Sequence, residues 1–217
     1  MRGLFVKDLE LALQQKKFFL VLLVVGILLN LSTDGSFAAG YFTFVCAMFL
    51  TSTISYDEYE NGFSFLLTLP VRRKDYVAEK YLFGMALTGA AWSVGTAIEL
   101  LCRLFQEYDI SPMEMIASSV IMLFVAFLII AFMVPFLLKY GNEKGRYISL
   151  GVMGACFAVV YLAAEFLKSK GIRITEMLDS LSNAGILTIM AIVGIGALAV
   201  YGISYLISLA VMKKKEY

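Results

Sequence analysis

Two stretches of this chain, 115–138 and 186–212, run without one Asp, Glu, Lys or Arg. About 20 apolar residues in helical form cross a hydrocarbon layer about 30 Å thick, and a helix satisfies its own backbone there. Both stretches are therefore read as membrane spans. The segments 36–55, 81–105 and 147–167 read the same way, although the second carries Glu99 and Arg103 and the third ends near Glu165. Segment 18–32 is shorter, about 22 Å at 1.5 Å per residue, so it needs Lys16 and Lys17 to snorkel or an earlier start. With 60% of 217 residues hydrophobic and 16% charged, the chain lacks the polar surface a soluble domain of this length needs. The expected fold is all-α: a single polytopic transmembrane domain over 1–217 with about six spans.

The first apolar run follows lysines, as a secretory leader would. Leu29, Asn30 and Leu31 do not make a small-residue cleavage site, so it is read as a retained helix. Cys46, Cys102 and Cys156 all fall inside spans without a C-x-x-C spacing, which points to packing rather than disulfide or zinc chemistry.

Basic residues sort by alternate loops. Fourteen of the 18 lie on one side: Arg2, Lys7, Lys16 and Lys17, then Arg72, Arg73, Lys74 and Lys80, then Lys139, Lys144 and Arg146, and finally Lys213, Lys214 and Lys215. Arg103, Lys168, Lys170 and Arg173 fall on the other. The positive-inside rule then places both termini in the cytoplasm. Thr33, Asp34 and Gly35 suit a tight external turn, and the last external loop, 168–185, suits a short helix capped by Thr175 with Glu176 in its first turn. The loop 56–80 is long for so economical a chain.

Residues 1–16 form an amphipathic pattern, with Phe5, Val6, Leu9, Ala12 and Leu13 on one face and Lys7, Asp8, Glu10, Gln14 and Gln15 on the other. Such a helix lies at the interface, as a general anchor or as an elbow packed on the bundle. In the long loop, Tyr56, Tyr59, Phe63, Leu66 and Leu67 share one helical side, and Asp57, Glu58, Asn61, Ser64 and Thr68 share the other. Pro70 ends that helix, and Arg72, Arg73 and Lys74 lead into the next span. Phe65 and Leu69 stand off the apolar stripe, as groups offered to a partner's groove would. The basic cluster also suits anionic lipid headgroups, and a plain interfacial helix over 56–69 remains open.

The acidic start Tyr56, Asp57, Glu58, the Leu69-Pro70-Val71-Arg72-Arg73-Lys74 run, and Tyr76, Val77, Lys80 and Tyr81 beyond it together resemble the type-2 ABC transporter permeases. The likeness is to the small six-span bacterial branch that exports amphipathic peptides such as phenol-soluble modulins. The resemblance implies an N-terminal elbow helix and a cytoplasmic coupling helix in loop 56–80, which docks on a separate ATP-binding subunit through Glu58, Asn61, Phe65, Leu69 and Arg72. It also implies a second permease subunit, identical or related, in the bacterial plasma membrane. No cofactor is expected in this chain, ATP and magnesium belonging to the partner, and no nucleic acid.

No G-x-x-x-x-G-K-[ST] loop is present, so the chain lacks the phosphate cradle of a nucleotide motor. Having no histidine, it offers no His-based metal site, hydrolase or phosphorelay, and no catalytic residue is assigned. Glu99 and Glu165 sit near the external ends of their spans. Glu99 has Arg103 at i+4 and reads as a structural ion pair rather than a proton relay; Glu165 reads as solvated beside Lys168. Pro135 either kinks its span or is a tolerated membrane proline. Glycines such as Gly84, Gly95, Gly151 and Gly194 read as packing positions. The leading function is an ATP-driven exporter permease for an amphipathic peptide or other hydrophobic compound. A secondary transporter working on an ion gradient, which calls for repeats and buried midplane charge, and a non-transporting accessory subunit are the alternatives.

Overall fold

The computed structural model describes residues 2–33, 37–59, 71–105, 111–169 and 186–214, although within these a few side chains, including those of Arg2 and Cys156, are not described. Seven helices follow one another among the described residues: α1 (Arg2–Gln14), α2 (Lys16–Ser32), α3 (Ala38–Glu58), α4 (Arg73–Cys102), α5 (Pro112–Tyr140), α6 (Asn142–Ser169) and α7 (Ile186–Lys214). The chain is an all-α polytopic membrane protein. Ala38–Glu58, Arg73–Cys102, Pro112–Tyr140 and Thr188–Lys214 are each long and apolar enough to cross a membrane, and Gly3–Gln14 with Lys16–Ser32 adds one more if that bent pair is a single span. The expected span 147–167 lies wholly within α6.

α5 is the hub, touching α3, α4, α6 and α7, while α3 packs along α4. Its sequence explains its start and its stop. Ser111 Oγ accepts the Glu114 N–H and Glu114 Oε2 accepts the Ser111 N–H at 3.0 Å, a reciprocal capping box with Pro112 behind it. Gly141, at φ 78°, ends the helix in a conformation that suits glycine, and α6 begins at the next residue.

Leu50, Ile54, Val77, Ile130, Val134 and Leu137 form the centre of the main core, all fully buried. A smaller cluster of Leu22, Ala38, Phe42, Cys46 and Ala91 holds the other end. Gly95 lets α4 and α3 meet closely there: a Cβ on it would stand 2.5 Å from the Ala39 Cα. Nothing comparable surrounds Gly151, which faces open space. Outward faces of α2 and α7 carry Leu20, Val21, Leu28, Ile195 and Leu206, exposed from the protein as lipid-facing side chains are.

At the end opposite the lysines, the start of α3 is held by two neighbours. Asn30 Oδ1 accepts the Phe37 and Ala38 N–H groups at 3.3 Å, and Glu99 Oε1 accepts the Ala39 N–H at 2.8 Å. Glu99 is thus structural, but its bonded partner is a helix terminus, whose dipole and free N–H groups favour an anion. Asp34, Gly35, Lys170, Arg173, Thr175 and Glu176, on which the turn and external-helix expectations rest, lie outside the described residues.

Candidate functional site

The informative site lies where α1, α3 and α4 meet at the lysine-rich end. α3 continues through Asp57 and Glu58 rather than ending at residue 55, and α4 starts at Arg73, well before residue 81. The charged ends of both helices are thereby drawn alongside the core, and this is tolerated because they are paired. Lys80 Nζ, fully buried, donates to Asp8, lies 2.8 Å from Asp57 Oδ2 and donates to Thr53 Oγ1 at 3.2 Å. Lys7 binds Asp57 as well and stands 2.9 Å from Asp8 Oδ1. The Tyr76 hydroxyl donates to Asp57 Oδ2 at 3.0 Å. The knot thus joins the first helix of the chain to both helices flanking the long loop.

On α1, Lys7 and Asp8 are held in their ionised forms. Burial works against the charge on Lys7, but Asp57 and Asp8 outweigh it and its pKa stands above the ordinary lysine value. Burial likewise opposes ionisation of Asp8, yet Lys80 and Lys7 hold its carboxyl below the usual aspartate range. Glu79 is the odd member. Its side chain is buried, among the described residues neither oxygen has a hydrogen-bond partner, and Lys80 Nζ stands 3.9 Å away.

α1 turns one residue of its polar face, Asp8, toward the protein. Leu4, Asp8 and Ala12 face inward while Val6, Leu9 and Leu13 point away from the protein. Phe5 meets Phe83 edge to face with ring centroids 5.4 Å apart. The helix bends by 63° from α2 at the Gln15 break. Pairing of Asp8 with Lys80 sets the rotation, leaving apolar side chains outward where lipid can cover them.

Of the five residues expected to meet a partner, Asn61, Phe65 and Leu69 lie outside the described residues. Arg72 is exposed in extended backbone immediately before α4. Glu58 closes α3 and reaches across to α6, where its Oε2 accepts the Asn142 N–H at 2.6 Å. That carboxylate therefore caps a helix within the chain. Tyr56 and Tyr59 are exposed beside it.

A groove begins at the same end. One hollow of ≈330 Å³ is lined by Ser52, Ser55, Tyr56, Tyr59, Asn142 and Arg146. Ser52 and Arg146 also line a second, again ≈330 Å³, which adds Thr51 and Ser149 but also Phe18, Val45, Met48 and Phe49. The groove thus passes from polar to apolar along α3, bordered by α6 on one side and α2 on the other. Sequence reasoning missed both groove and knot, since Ser52, Arg146 and Asp8 are far apart in the chain. A signal was available in the i, i+4 spacing of Tyr76 and Lys80, which puts a phenol and an ammonium on one helical face.

Comparison with known families agrees with this architecture. Residues 3–213 match the model of the ABC-2 family transporter protein. A search of the curated proteins finds no match. A match that spans nearly the whole chain, on an all-α bundle of membrane-crossing helices, has one meaning: the chain belongs to the ABC-2 transporter family, as a membrane-embedded permease subunit.

Proposed function

We propose that this chain is the transmembrane half of an ATP-driven exporter, moving an amphipathic peptide or similar hydrophobic compound while a separate ATP-binding subunit supplies the work. Membership of the ABC-2 family over residues 3–213 carries the reading. Two such permeases, identical or related, enclose the path in a bacterial plasma membrane, each crossing it about six times with both termini cytoplasmic. The α3 groove suits the cargo class, because polar groups and apolar walls succeed one another along it.

The ATP-binding subunit docks on segment 56–80, through Phe65 and Leu69 with Asn61, Arg72 and the exposed edge of Glu58. Movement there reaches the bundle through Asp57 and Lys80, which tie both ends of the segment to α1. The docking event shifts the permease only by the difference in affinity between its two states. Phe65→Asp with Leu69→Asp puts charge into the partner's groove and should abolish co-purification of the ATP-binding subunit while membrane insertion stays normal. Undiminished co-purification of the double variant would contradict the docking assignment.

A further inference from the structure

On the far side of α5 from the cargo groove, α5 and α7 flank a second, outward-facing groove. It lies beside Pro135. Proline has no N–H to give the carbonyl four residues back, and the Ala131 carbonyl instead accepts a hydrogen bond from Ser204 of α7. The groove, ≈540 Å³, is walled by Phe132, Pro135 and Phe136 on one helix and by Val200, Ile203 and Ile207 on the other. Val200, Ile203 and Ile207 are about half exposed, so this wall opens to the bilayer and not to the bundle. From Leu128 to Lys139 it runs about 16 Å at 1.5 Å per residue, comparable to an acyl chain.

Its lysine-rich end is different in kind. Lys139 closes the groove, and a contiguous hollow of ≈470 Å³ shares Lys139 and adds Lys214. Both ammonium groups are exposed, and among the described residues neither has a carboxylate within ion-pair distance. Arg73 brings a third cation to the same corner, bonding the Met212 carbonyl at 3.2 Å and lying 3.5 Å from that of Lys213. An apolar slot one acyl chain long, headed by exposed cations at the lysine-rich end, is complementary in shape and charge to an anionic phospholipid.

We propose that the α5/α7 groove is a binding site for one anionic phospholipid, its acyl chain along Phe132, Ile203 and Ile207 and its phosphate between Lys139 and Lys214. The site is independent of the cargo assignment. Wild-type protein in nanodiscs of equal phosphatidylglycerol and phosphatidylcholine, released into native mass spectrometry, should retain phosphatidylglycerol selectively. Lys139→Gln with Lys214→Gln should weaken that retention about thirtyfold, each lysine contributing about a fivefold factor near the surface. Ile203→Trp should exclude lipid of either headgroup from the slot. Equal retention of the two lipids by wild type would overturn the proposal, and this comparison stands even if a variant folds poorly. Unchanged phosphatidylglycerol retention in a folded double lysine variant, or a disulfide between two V200C copies showing that a second chain fills the slot, would overturn it as well.

Discussion

Lys80 is the residue on which the lysine-rich end turns. Fully buried between Asp8 and Asp57, it cannot be removed without taking a counter-charge from two carboxylates. Breaking a buried ion pair from one side costs about 3–5 kcal/mol, so Lys80→Met should lower the thermal unfolding midpoint sharply in a detergent or nanodisc melt. Glu79 predicts the opposite. Among the described residues this buried carboxylate has no hydrogen-bond partner, a liability of about 1–3 kcal/mol, and Glu79→Met should leave the melt unchanged or raise it. A drop comparable to that of Lys80→Met would show that Glu79 has a partner in the working protein. Ser204 offers a third residue-scale check, since its hydroxyl takes up the carbonyl that Pro135 leaves without a helix donor. Ser204→Ala should cost about 1–3 kcal/mol, and much less when made together with Pro135→Ala, which restores the N–H. Equal costs in the two backgrounds would contradict this coupling.

Among the elements, α1 responds to acid in a direction that can be worked out. The folded-state pKa of Asp8 lies below its ordinary value of 3.8, so its pairing stabilises the docked α1 fully above that pH. The contribution is lost as pH falls through the lower folded value. Proteolysis or hydrogen exchange of α1 should therefore accelerate below about pH 4, and Asp8→Asn should show that acceleration already at neutral pH. Protection of α1 that is identical in both proteins at pH 7 would contradict the docking. The amino-acid pattern made the helices legible, because apolar runs such as 115–138 have no other stable form. Loop 56–80 and the rotation of α1 were less so. Period alone put Asp8 on the polar face of an interfacial helix; it faces inward because it pairs with Lys80, a counter-ion seventy-two residues away that no local pattern shows. The extension of α3 to Glu58 and the early start of α4 carry Asp57 and Lys80, which the sequence places between the spans, into buried positions where their charged partners meet them. Glu99 shows the limit again, since the local i+4 arginine was the visible partner and the Ala39 N–H was not.

For the whole molecule, α5 is the hub of the bundle and a charge knot ties its helices at one end. α1, α3 and α4 are joined at the knot, and α2 and α3, which border the groove along α3, continue directly from it. The chain holds no phosphate loop, and its family is that of ABC-type membrane subunits. On the proposed reading, the work of transport belongs to a separate ATP-binding subunit. Co-reconstitution into vesicles tests this most directly: the purified chain, with and without its ATP-binding subunit, is supplied with a labelled amphipathic peptide and ATP or an imposed ion gradient. Transport should appear only when subunit and ATP are both present; movement of the peptide by this chain alone, driven by the gradient, would contradict the account.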